Sequence, residues 1–184
     1  MLVFGITNRK LCDDFYSQIE KISLSSIDYL ILREKDLSYD ELLKMACKVK
    51  EILKKSNIKL IINSSVDVAK KIDAYGVQLS FNDFKNLRRK NESIYKRVGV
   101  SIHSFEEGIE AQKLGATYVI YGHVFETECK KGLKPRGTSE IKKMSEVMNI
   151  KIIGLGGINK NNYKEVIKNG ASGIAVMSGI MRIN

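Results

Sequence analysis

The sequence predicts an α/β protein, a (β/α)8 TIM barrel, on three observations. Short β-branched and apolar runs alternate strictly with segments of helical period. There are eight such runs, the number that closes a parallel barrel. No GxGxxG follows the first run, as an open dinucleotide-binding sheet requires, so an open doubly wound sheet is the runner-up. The chain of 184 residues, 43% of them hydrophobic, suits a single barrel domain spanning residues 1–184.

Taken in order, residues 2–6 form the first strand, and Asp13 is placed to cap a helix carrying Phe15, Ile19, Ile22 and Leu24. Residues 27–32 form the second strand. Leu42, Met45, Ala46, Val49, Ile52 and Leu53 then share one face of a long helix. Strands follow at 59–62, 76–79 and 97–100, with helices at 66–74 and 83–90 between them. Ser104 and Glu107 have the spacing of a capping box for a helix over 105–114, stopped at Gly115. The sixth strand is 117–121 and the seventh 151–154. Thr138 caps the helix between them, Asn159 or Asn161 the next, and residues 173–176 complete the barrel. Only residues 178–184 remain, so the eighth helix is expected to be short or missing. The apolar gap left in the outer ring suits a partner subunit, hence a homo-oligomer.

The formal charge of +10 comes from 31 Lys and Arg scattered without a basic tract or interleaved aromatics. It reads as a solvated surface that draws in small anions, with no nucleic-acid partner. Cys12, Cys47 and Cys129 are widely spaced, form no ligand cluster and read as reduced thiols. The amino-terminal apolar run is too short for a signal peptide, and nothing approaches the roughly 18 apolar residues of a membrane span. A soluble, cytoplasmic protein with no membrane partner is expected.

Chemistry is expected past the carboxyl ends of the strands. The sixth strand stops at Gly122 and opens into His123 and a polar loop to Gly137 holding Glu126, Thr127, Glu128, Cys129, Lys130, Lys131 and Arg136. Histidine can both take and give a proton, and His123 reads as the catalytic centre, the bland alternative being a structural hydrogen-bonding residue. Gly156 and Gly157 after the seventh strand, with Ser178 and Gly179 after the eighth, suit a phosphate site, or else only tight turns. Arg33 and Lys35 are alternate residues and would form an anion clamp if strand geometry runs through them. Otherwise Glu34 and Lys35 are solvated loop charges. Asn63, Gln78, His103 and Ser104 follow or end other strands. No metal is expected, because Asn63-Ser64-Ser65 brings no carboxylate before Asp67, and Asp83 is the other nearby acid.

The run Tyr121-Gly122-His123-Val124-Phe125-Glu126-Thr127-Glu128-Cys129-Lys130-Lys131-Gly132-Leu133, then Arg136-Gly137, resembles the loop of TenI-type thiazole tautomerases of thiamin biosynthesis. These belong to the thiamin phosphate synthase superfamily of (β/α)8 barrels. The likeness extends to Leu32-Arg33-Glu34, Asn63, Val77-Gln78-Leu79, Ser101-Ile102-His103-Ser104, Gly156-Gly157 and Ala175-Val176-Met177-Ser178-Gly179. It implies a cofactor-independent isomerase acting on a carboxylated thiazole phosphate, with His123 as acid/base. The phosphate is then expected on Gly156, Gly157, Met177, Ser178 and Gly179, and the carboxylate near Ser104, Thr127 or Lys130. Substrate contacts are expected from Arg33, Lys35, Asn63, Gln78 and His103. The alternative within the superfamily is a thiamin phosphate synthase, which joins a pyrimidine pyrophosphate to a thiazole phosphate. Synthases hold magnesium on two aspartates, where this chain has Ser64 and Asp83. A third reading is a regulator that binds a thiamin intermediate without turnover.

Overall fold

Apolar runs buried on both faces are what a parallel sheet wrapped in helices demands, and here they close on themselves. In this computed structural model, which describes residues 1–90 and 95–183 with Cys129 by its backbone alone, eight parallel strands form a closed barrel in sequence order. They are β1 Leu2–Ile6, β2 Tyr29–Leu32, β3 Lys59–Asn63, β4 Gly76–Ser80, β5 Val98–Ile102, β6 Tyr118–Gly122, β7 Lys151–Leu155 and β8 Gly173–Val176. Closure is made by β1 on β8, with Leu2 opposite Gly173 and Phe4 opposite Ala175. The helices are α1 Phe15–Ser23, α2 Tyr39–Leu53, α3 Val66–Lys71, α4 Phe81–Arg89, α5 Phe105–Lys113, α6 Ser139–Val147, α7 Tyr163–Lys168 and α8 Ser178–Met181.

Strand parity sorts the core into two layers. Phe4, Ile6, Ile31, Ile61, Ile120, Ile153 and Ala175 fill the barrel interior. Leu30, Leu32, Ile62, Val77, Val100, Val119 and Ile152 face outward and pack under the helices with Ile19, Ile22, Ala46, Val49 and Val68. The base of the barrel is floored by rings. Phe4 stacks on Tyr29 at 4.4 Å and leans on Tyr118 at 5.3 Å, while Tyr75 lies 5.5 Å from Tyr29. The interior is tight at one point. A Cβ on the inward Gly99 would lie 2.1 Å from Tyr118 Cζ and 2.2 Å from Gln78 Oε1, so this glycine serves volume rather than backbone freedom.

Several boundaries differ from the sequence expectation, each for a local reason. Asp14 rather than Asp13 caps α1, its Oδ1 accepting from Ser17 N at 2.6 Å. Ser80 starts α4 at Phe81, two residues before Asp83, whose amide its hydroxyl accepts. The expected capping box at Ser104 is half made. Ser104 Oγ accepts from Glu107 N, while the Glu107 carboxylate accepts from His103 N instead of Ser104 N. A complete box stands at Ser38 and Glu41. Thr138 precedes α6, and Asn162 rather than Asn159 or Asn161 precedes α7. Neither caps with its side chain. The eighth helix is present but one turn long. Its Ile180 and Met181 are buried, and Gln18 of α1 donates to the Ile180 and Ile183 carbonyls. Asn184 lies outside the described residues, and no described helix is long and apolar enough to cross a membrane.

Gly99→Ala drives a methyl into Tyr118 and Gln78 and should lower stability by about 1–3 kcal/mol, seen as a lower urea midpoint. Gly108→Ala in α5, whose methyl would meet the flexible Met144 sulfur at 2.8 Å, should cost less, since alanine also favours the helix. Equal midpoints for Gly99→Ala and the parent would show that the interior is loosely filled.

Candidate functional site

The carboxyl ends of the strands surround a cavity of about 560 Å³. Its walls are the inward residues at the strand ends: Ile6, Asn63, Gln78, Ser101, Gly122 and Leu155, with Arg33 and Met177 just beyond β2 and β8. Arg33 is aimed by a buried network behind it. Thr7, fully buried, accepts from Arg33 N at 2.9 Å and donates to Glu34 Oε1 at 2.8 Å. Arg9 donates to the same carboxylate from its backbone and guanidinium, and grips Asp36 with two further bonds. Arg9 holds the Asp36 carboxyl well below the usual carboxylate range. Glu34, expected as a possible solvated loop charge, is therefore a buried anchor with 3% of its side chain exposed.

The expected Arg33–Lys35 clamp is not formed. β2 ends at Leu32, so strand alternation does not reach Lys35, which is exposed and lines a separate groove of about 640 Å³ between the starts of α2 and α3. Asn63 touches both spaces, and its Nδ2 donates to Ser64 Oγ at 2.7 Å. Ser104 is likewise absent from the cavity wall because its hydroxyl caps α5. His103 lines the rim, half-exposed, with Nδ1 3.5 Å from Glu107.

His123 does reach the cavity, but its ring is buried and its Nε2 lies 3.3 Å from the Leu133 carbonyl. The loop it opens is laced to the barrel. Val124 N and Phe125 N donate to the carbonyls of Leu155 and Gly156, and Arg136 N and Gly137 N donate back to those of His123 and Val124. This brings Glu126, Thr127, Glu128 and Lys130 over the opening. Gly156 and Gly157 face them with φ of 104° and 65°, a backbone that favours glycine. A Cβ on Gly156 would strike His123, and one on Gly157 the Glu126 carbonyl at 2.2 Å, so both glycines also let the loops meet. Gly179 has open space where a side chain would be, and Met177 and Ser178 adjoin it in the wall.

Sequence reasoning missed Ser101, Leu11 and Arg182 as wall residues. Ser101 was within reach, because it lies two residues past the inward Gly99 and shares its parity. The fixed cations of the cavity are Arg33, Lys130 and Arg182, against Glu126 and Glu128. That balance suits anionic ligands. Of the two positions that the resemblance sets for magnesium, Ser64 lacks a carboxylate and Asp83 has one. Ser64 offers a neutral hydroxyl that accepts from Asn63, and the Asp83 carboxylate accepts from Ser80 Oγ at 2.6 Å at the start of α4. Among the described residues, no three His, Cys, Asp or Glu side chains gather to hold a metal ion.

Comparison with known proteins places these features. The family described as Thiamine monophosphate synthase matches residues 3–180. Thiamine-phosphate synthase of Clostridium acetobutylicum is 36% identical over 182 residues, covering 97% of this chain and 86% of that protein. Thiamine-phosphate synthase of Clostridium novyi is 39% identical over 153 residues, covering 82% and 75%. The solved structure of thiamine phosphate pyrophosphorylase from Pyrococcus furiosus superposes with a TM-score of 0.87 at 29% identity, covering 100% of this chain and 88% of that one. These relatives overturn the tautomerase and isomerase expectation drawn from the loop around His123, since they are named thiamine-phosphate synthase or thiamine phosphate pyrophosphorylase, names of transferases. From residue 3 to residue 180 the chain belongs to the thiamine monophosphate synthase family.

Proposed function

We propose that the chain is a thiamin phosphate synthase, a transferase that joins a pyrimidine pyrophosphate to a thiazole phosphate with loss of pyrophosphate. One observation carries this beyond the relatives. A single cavity is lined both by the cations Arg33 and Lys130 and by the glycine-bearing loops of Gly156, Gly157, Ser178 and Gly179. A reaction between two phosphorylated substrates needs both.

In this reading the thiazole phosphate rests on the glycine loops and Met177, where backbone N–H groups approach its oxygens. Arg33 and Lys130 hold the pyrophosphate. Asn63 stands beside them where the cavity meets the groove of Lys35, and Thr127 and His103 border the opening. Gln78 and Ser101 face the pyrimidine. The carbon that carries the pyrophosphate loses its bond to oxygen, and the electron pair leaves with the pyrophosphate. The thiazole nitrogen supplies its lone pair to that carbon, so charge builds on the departing group. Fixed cations in a partly water-excluded pocket favour that change. No proton moves in the step, so His123 is not required as an acid or base. Its ring instead supports the turn at Leu133 that positions Thr127 and Lys130.

Supplied with both substrates and a divalent cation, the purified chain should release pyrophosphate, and with either substrate alone it should not. Absence of release from the pair would end the proposal. Arg33→Ala should lower kcat/KM by about a hundredfold, in line with loss of a charge-assisted contact at a developing anion, with the urea midpoint unchanged. His123→Gln, which keeps a polar group near the Leu133 carbonyl, should hold kcat within about tenfold, below the range of a lost general acid or base. A fall of three orders of magnitude would return His123 to the chemistry.

A further inference from the structure

One polar thread runs up the barrel interior from its base to the mouth. Tyr118 opens β6 with its ring inside the barrel, and its hydroxyl is buried with no hydrogen-bond partner among the described residues. Gln78 of β4 is 2% exposed, and its Oε1 is also buried without a partner among the described residues. These two atoms are neighbours. They lie 2.3 Å and 2.2 Å from the point a Cβ on Gly99 would occupy, so no more than about 4.5 Å separates them. One is a donor and the other an acceptor. Leaving each unmet is costly for a buried polar atom, and a small approach of the two satisfies both. Burial pushes the Tyr118 phenol far up, so it keeps its proton and remains a donor.

The thread continues upward. Gln78 Nε2 donates to Ser101 Oγ at 2.9 Å, and Ser101 lines the mouth. A hydroxyl that accepts this bond has its own proton free for a partner above it. With the carboxamide reversed, Gln78 would present its oxygen to Ser101, take that proton and leave Ser101 only its lone pairs for a ligand. Whatever fixes the carboxamide therefore fixes the polarity that Ser101 shows to the cavity.

We propose that Tyr118 is a positioning residue for the ligand in the mouth. Its hydroxyl donates to Gln78 Oε1, holds the Gln78 carboxamide in one orientation, and so makes Ser101 a hydrogen-bond donor toward an acceptor atom of the bound pyrimidine. Gly99 is the vacancy that lets phenol and carboxamide meet. The ligand's identity rests on the synthase reading, while the orientation of Gln78 does not.

Two measurements test this on the whole chain. By nitrogen-15 NMR without ligand, the Gln78 side-chain amide pair, assigned by its loss in Gln78→Ala, should shift and exchange faster in Tyr118→Phe. An unchanged pair overturns the proposal whatever the turnover. In steady-state assays Tyr118→Phe should raise KM for the pyrimidine pyrophosphate about tenfold, with kcat within about twofold, the scale of one hydrogen bond. It should add nothing to Ser101→Ala, because it acts only through that hydroxyl. The same penalty in both backgrounds means a general structural role and overturns it too. A parent chain with no turnover would count against the synthase reading, and the NMR result would still decide for or against the role of Tyr118.

Discussion

Closure of eight parallel strands allows each strand one inward face, and in so small a ring the inward residues compete for the same volume. Everything at the mouth follows from that parity. Ile6, Asn63, Gln78, Ser101 and Leu155 meet in one cavity because each has inward parity near the end of its strand. Where a large side chain turns in, a neighbour must yield: Gly99 has no side chain, and Tyr118 and Gln78 occupy its place. The outward residues of the same strands are as apolar as the inward ones, and the helices need them so.

Much of this was legible in the sequence. The alternation of apolar runs with helical segments located every strand to within about two residues, the usual precision at element ends. His123, Thr127, Lys130 and the two glycine loops all reach the cavity as expected from their places after strands. The failures share a cause, which is that they depended on a few residues of backbone between a strand and a helix. Placing Lys35 beside Arg33 needs strand alternation to run three residues past the end of β2. Ser104 was assigned to a ligand although its sequence context also made it a cap, and the cap prevails because a helix start has amides to satisfy. Glu34 gave no sign of burial, because its partners Thr7 and Arg9 come from the far side of a helix in the sequence. Ser101 was overlooked although its parity was available.

The function was harder to read than the fold for a related reason. In the sequence the distinction between synthase and tautomerase rested on the motif around His123 and on Ser64 where a synthase aspartate is expected. The relatives along nearly the whole chain are synthases. The imidazole facing the Leu133 carbonyl is compatible with a supporting role in a reaction that moves no proton. Ser64 offers a neutral hydroxyl that accepts from Asn63, and Asp83 a carboxylate that accepts from Ser80 at the start of α4. Charge at the mouth is left to Arg33, Lys130 and Arg182.

The ring floor built from Phe4, Tyr29, Tyr75 and Tyr118 has a further consequence for traffic. A vessel stoppered at its base has one doorway, so molecules that meet inside must come and go past each other. Whatever enters the cavity from the mouth must leave by the same end.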